Sequence, residues 1–176
     1  MPSDEDVRES LLDDEHPGPK DLESVLANTT LSEVVSQPAL IVNASATLGE
    51  AIALMQRERR ACVLIEEHGA LAGIFTERDV LMKVVGHSID LERTPITASM
   101  TRDPFTLPAD ANVAFALSKM VLEGFRHIPL VDDDGRPTAV VSMRNLIEYL
   151  GEIHSRDMLT IPPEPHQARS RSREGA

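Results

Sequence analysis

Gly73-Ile74-Phe75-Thr76-Glu77-Arg78-Asp79-Val80 decides the fold, because its pattern returns as Ala139-Val140-Val141-Ser142-Met143-Arg144-Asn145-Leu146. Each copy is an apolar run, a hydroxyl residue, an Asp or Asn three positions later, and more apolar residues. The copies lie 66 positions apart. Self-similarity over such a period marks a chain built from two like units.

Working outward, Gly69 matches Gly135, Ile65 matches Val131 and Arg60 matches Arg126. Upstream the offset falls to 65: Met55 matches Met120, Ile52 matches Leu117, Leu48 matches Val113, and Leu40-Ile41-Val42 matches Phe105-Thr106-Leu107. The division expected is an acidic N-terminal arm over 1–30, repeat one over 31–85, a linker over 86–95, repeat two over 96–153 and a Pro/Arg-rich flexible tail over 154–176.

Each unit reads β-α-β-β-α. An extended piece (39–42; 104–107) precedes an amphipathic helix with Leu48, Ile52 and Met55, or Val113, Leu117 and Met120, on one face. Apolar strands follow at 62–65 and 71–75, and at 128–131 and 138–141. The turns between them carry Gly69 and Gly135, which supply the positive φ of a hairpin. A closing helix turns Val80, Leu81 and Val84, or Leu146, Ile147 and Leu150, inward. Val80, Val84, Val85, Ile147 and Leu150 are equally candidates for a dimer face. The fold class expected is α+β (α/β-like), with helices on small sheets.

The chain has 176 residues, 41% hydrophobic and 3% aromatic, so a planar ligand is expected to lie among aliphatic side chains more than on stacked rings. The formal charge of −12 argues against nucleic acid as a partner. Much of it is local: nine acids face only Arg8 and Lys20 before Leu31. Cys62 is the only cysteine, so no intramolecular disulfide forms and a reducing, cytoplasmic setting is expected. No apolar run approaches the ~20 residues of a membrane span.

Thr76 and Ser142 stand where a strand gives way to a helix, and either hydroxyl can cap the first turn. Thr76 with Asp79 has capping-box spacing, with Asp in place of the usual Glu. The same geometry serves a ligand: free N–H groups favour phosphate, and a first-turn carboxylate can accept from both hydroxyls of a ribose diol. Arg78 and Arg144 lie within the motif, while Arg126-His127 and Arg60 stand at the entry of equivalent strands; all are candidate phosphate contacts. His16, His68, His87, His127, His154 and His166 show no metal-ligand spacing, and neither a nucleophile-base set nor a Walker-type loop is present, so no enzyme is expected. Asp132-Asp133-Asp134 reads as a solvated turn.

The G-hydrophobic-hydrophobic-T-x-x-D pattern, the Met100-Thr101-x-Asp103-Pro104 opening and the Arg126-to-Val131 strand together resemble the CBS (cystathionine β-synthase) domain, in both copies and from about Leu31 to Ile153. The resemblance implies a tandem pair, or Bateman module: two repeats packed by their sheets about a pseudo-twofold axis, with two clefts. It implies a regulatory module rather than an enzyme, with no required cofactor. It also implies a ligand among AMP, ADP, ATP and S-adenosylmethionine, with or without Mg²⁺, and a homodimer. With no catalytic or transport domain attached, the output is expected to reach a protein target in trans. By the same resemblance Asp79 holds ribose, Thr76 and Arg78 approach ribose or phosphate, and Ser142, Arg144 and Asn145 are their counterparts. Arg126, His127 and Arg60 take the basic phosphate-contacting position, and Thr101 and Ser36 sit near adenine. Asn145 for Asp, Ala139 for Gly, Ala61 at the His127 position and Gln37-Pro38 in the first opening motif make the two clefts unlike. A ligand-independent scaffold, in which the T-x-x-D motif only caps helices, is the alternative.

Overall fold

A computed structural model describes residues 19–35 and 37–153. Most of the acidic arm, Ser36 and the Pro/Arg-rich tail lie outside the described residues. Helices α1 (Pro19–Asn28) and α2 (Leu31–Val34) come first. Strand β1 (Ile41–Asn43), helix α3 (Leu48–Glu58), β2 (Cys62–Glu67), β3 (Ala70–Thr76) and the three-residue α4 (Glu77–Asp79) build the first lobe. Strand β4 (Thr101–Arg102), α5 (Val113–Glu123), β5 (His127–Val131), β6 (Pro137–Ser142) and α6 (Met143–Ile153) follow. The architecture is α+β: a four-stranded sheet ordered β1-β2-β3-β4 and a β5-β6 pair.

Local chemistry explains the elements that the repeat predicts. Thr47 caps α3 by accepting a hydrogen bond from the Glu50 N–H, and Asn112 caps α5 by accepting from the Phe115 N–H. Gly69 and Gly135 close the two hairpins at φ 85° and 76°. Leu48 and Met55, like Val113 and Met120, are buried two turns apart on the inward face of each helix.

Four expectations are corrected. The extended piece at 39–42 becomes strand only over Ile41–Asn43. Its counterpart at 104–107 makes a single parallel bridge, Leu107 to Leu130, because the strand of that segment forms earlier, at Thr101–Arg102, against β3. The closing helix of repeat one is not regular: α4 passes into a π-helical turn, Val80–Val84, closed by the Val85 N–H donating to the Val80 carbonyl at 2.9 Å. Leu81 and Ile147, expected inward, are 63% and 58% exposed. The residues before Leu31 also contribute structure that composition hid: Leu26 of α1 packs against the second core, and the Thr29 hydroxyl lies 2.8 Å from that of Tyr149.

The sequence repeat and the packing unit do not coincide. Leu31, fully buried, belongs to the core of Leu107, Val113, Ala116, Met120, Ile128, Leu130, Val141 and Leu146. Ile96, also fully buried, and Met100 belong to the core of Leu48, Ala51, Met55, Val63, Ile65, Phe75 and Val84. Each repeat thus inserts its opening residues into the other's core. The crossings are symmetric: Leu31 N–H donates to the Ala111 carbonyl and Ile96 N–H to the Ala46 carbonyl, while Thr30 bridges Asn112 and Thr47 bridges Pro95. Between the sheets Cys62, Leu64, Ile74 and Val140 form a third cluster.

Gly73 shows how close the strand crossing is. A Cβ there would lie 2.8 Å from the Thr101 carbonyl oxygen and 2.6 Å from Met100 Sδ, and a backbone atom cannot be moved aside cheaply. Ala139 takes the equivalent place in repeat two, where among the described residues the crossing segment makes a single bridge, from Pro38. Gly73→Val is expected to destabilise by about 1–3 kcal/mol and to displace β4, read as a lower thermal midpoint.

Candidate functional site

A cleft of about 900 Å³ lies at the seam between repeats and is lined by the end of β3, α4, the β4 segment and the α5–β5 junction. It brings together Thr76, Arg78, Asp79, Thr101, Arg126 and His127 from three separate stretches. The volume suits a small-molecule ligand.

Asp79 is held by its own turn. Its Oδ2 accepts from the Thr76 N–H at 2.9 Å and the Thr76 hydroxyl at 2.7 Å, and its N–H donates to Thr76 Oγ1 at 3.3 Å. A short Asp thus completes a reciprocal capping box. Its Oδ1 pairs with Lys83 Nζ at 2.6 Å. Lys83 was not a candidate from sequence, although its i,i+4 spacing from Asp79 was a usable signal.

Repeat two carries the same box with an amide. Asn145 Oδ1 accepts from the Ser142 N–H at 3.0 Å and the Ser142 hydroxyl at 2.6 Å. Ser142, Arg144, Asn145 and Arg60 are absent from the lining of the large cleft. Arg144 is 85% exposed and donates to Glu148 Oε1 at 2.7 Å, the partner one helical turn on. Arg60 donates to Gln37 Oε1 and to the Pro38 carbonyl, both at 3.0 Å, which ties it to the first crossing strand. Arg78 and Arg126, in contrast, are exposed and form no ion pair among the described residues.

The apolar lining departs from the composition. Phe105 and Phe125 line the cleft beside Ala61, Ile74, Leu81 and Pro104, with the two rings stacked at 5.8 Å and an interplanar angle of 24°. Two of the four Phe in the chain are concentrated here, which an average over 176 residues cannot reveal. Acids missed from sequence also line it, namely Glu77 and Glu123. Elsewhere, Arg136 makes an exposed 2.7 Å pair with Asp134 of the Asp132-Asp133-Asp134 turn. Among the described residues no group of three or more His, Cys, Asp or Glu is arranged to hold a metal ion. Nor is any helix there long and apolar enough to cross a membrane.

Burial pushes the His127 imidazole below its ordinary value of 6.5, with Glu77 opposing and Arg126 adding to the effect. At neutral pH both folded and unfolded forms are therefore uncharged at this residue. Below about pH 6.5 the unfolded chain takes up the proton first, so stability falls with pH until the folded form also protonates. His127→Gln is expected to flatten that slope in thermal melts between neutral and mildly acidic pH. Cys62, inside the sheet, is pushed up to about 11 by burial and is an inert thiol.

Two like units, sheets meeting face to face and a seam cleft under a hydroxyl-x-x-acid box define a two-repeat module. The CBS-domain family profile matches residues 31–86 and 96–152, and the chain belongs to that family. An uncharacterised 17.7 kDa protein of Acidianus ambivalens is 30% identical over 128 residues, covering 72% of this chain and 76% of that one. The CBS domain-containing protein CBSCBSPB5 of Arabidopsis thaliana is 40% identical over 96 residues, but that match spans only 18% of the plant protein. A CBS domain protein of Pyrobaculum aerophilum, solved in complex with AMP, superposes with a TM-score of 0.64 at 23% identity over 72% of this chain and 99% of that one. The CBS domain pair of MJ0100, solved with 5′-methylthioadenosine and S-adenosyl-L-methionine, superposes at 0.63 with 24% identity over 70% and 97%. These likenesses establish the fold of a tandem CBS pair.

Proposed function

We propose that this chain is a regulatory module that binds an adenosine nucleotide (AMP, ADP or ATP) in the seam cleft and signals through a change of conformation or pairing. The observation that carries the reading is the convergence of Thr76, Arg78, Asp79, Thr101, Arg126 and His127 on one cleft that also presents a stacked Phe pair. Asp79 accepts from the ribose diol, Arg78 and Arg126 meet phosphate, and Phe105 and Phe125 offer an apolar wall for the base. The adenosine ligands of the P. aerophilum and MJ0100 structures support this assignment. A phosphate beside His127 favours its protonated form, so binding takes up a proton below neutral pH.

The pair acts as a homodimer that passes its signal to a protein target in trans. Exposed Leu81, Met82, Val85, Val121, Leu122 and Ile147 supply apolar surface for the pairing, whereas Val84 is core. Coupling of about 1–3 kcal/mol between ligand and partner suffices for regulation. Calorimetric titration with AMP, ADP, ATP and S-adenosylmethionine, with and without Mg²⁺, tests the reading, and light scattering on the eluting protein tests the dimer. Micromolar binding of any of the four ligands upholds the module as a sensor; no heat from ligand-free protein rejects it.

The completeness of the Thr76–Asp79 capping box favours a second reading, a ligand-independent scaffold in which the motif only closes a helix. It requires that titration be silent while the dimer persists.

A further inference from the structure

We propose that Lys83, which stands behind the cleft lining, is an internal occupant of Asp79 that the ligand must displace, linking occupancy to the outer face of the π turn. The inference rests on Asp79 being the diol acceptor.

The capping box already uses Asp79 Oδ2, which accepts from both the N–H and the hydroxyl of Thr76. Oδ1 is the oxygen left for a ligand, and Lys83 Nζ stands on it at 2.6 Å. The Asp79 side chain is only 12% exposed and that of Lys83 is 41% exposed, so the pair is partly withdrawn from water. A diol that donates to Asp79 competes with this ammonium.

Lys83 has a second hold. Its ammonium donates to the Ser99 carbonyl at 2.8 Å. Ser99 is buried and belongs to the crossing segment, between fully buried Ile96 and Thr101 of the cleft lining. One ammonium thus ties the acid of the cleft to the strand crossing that makes the seam.

The element between these holds is the π turn. It carries one residue more than an α turn, and such turns recur at functional sites. Leu81 lines the cleft, while Met82 and Val85 on the same turn are 66% and 60% exposed. Displacing Lys83 from Asp79 leaves only the Ser99 carbonyl holding the ammonium, and a shift of one residue in helical register then turns Met82 and Val85 to a new direction. Ligand at Asp79 is thereby read on the protein's surface.

The test is titration of wild-type protein and Lys83→Met with AMP and with adenosine, alongside methyl NMR of Met82 assigned through Met82→Leu. With the competitor removed, Lys83→Met is expected to bind roughly two- to fivefold tighter, as for loss of a modest ion pair. Its Met82 signal should sit near the ligand-bound wild-type position before any ligand is added. Lys83→Gln serves if Lys83→Met fails to fold. A staple that only supports the fold predicts the opposite, weaker binding on its removal. Unchanged or weaker binding in the variant, or a wild-type Met82 signal that ignores bound AMP, overturns the latch and leaves the site standing. No binding by wild type or variant removes the diol site itself, and the latch with it.

Discussion

Asp79→Asn is expected to lower affinity for adenosine nucleotides by about a hundredfold or more while the protein stays folded. Asn145 shows that an amide satisfies the same cap, since its Oδ1 accepts from both the N–H and the hydroxyl of Ser142. In Asp79→Asn the single amide oxygen is spent on Thr76 and the remaining NH₂ can only donate, so a ribose diol finds no acceptor. Loss of two hydrogen bonds to a charged group, each about 1.5–3 kcal/mol, sets the scale. Asp79→Ala removes the cap as well and should add a stability loss of about 0.5–2 kcal/mol. Titration and denaturant unfolding on both variants separate the roles. Wild-type affinity in Asp79→Asn would refute the diol assignment and return the motif to a helix cap.

Leu31→Ala is expected to cost about 2–5 kcal/mol, a large share of the roughly 5–15 kcal/mol that holds a domain of this size. Leu31 opens repeat one by sequence yet is fully buried among residues of repeat two. Hydrogen exchange should therefore show the lost protection in α5, β5 and β6, not in β2 and β3. Ile96→Ala should show the reverse, because Ile96 is fully buried in the core of the first lobe. Deprotection that followed the sequence repeat instead would overturn the exchange of opening residues. Because each insertion also carries backbone hydrogen bonds to the other repeat, from Leu31 to Ala111 and from Ile96 to Ala46, neither lobe is expected to fold alone.

Much of the site was legible because its signals are local. Thr76 to Asp79 is a box four residues long, and Arg126-His127 stands at the entry of β5. Arg60 and Arg144 matched their counterparts equally well, yet one is bound to Gln37 and Pro38 and the other to Glu148. A long cation goes to whichever acceptor tertiary packing places within reach, and equivalence in a repeat does not choose it. Phe105 and Phe125 escaped because their stacking joins an opening segment to a strand entry twenty residues on.

By itself the sequence determined the duplication, the hairpins, the capped amphipathic helices and the hydroxyl-x-x-acid motif. Each rests on a period of 2 or 3.6 residues or on one turn's backbone needs, all readable from near neighbours. The tertiary structure alone decided which repeat buries Leu31 and Ile96, where Lys83 lands, why Gly73 tolerates no side chain and that the helix after Asp79 is a π turn. Those outcomes are set by close packing and by competition among distant donors and acceptors, and no short window of sequence contains both partners.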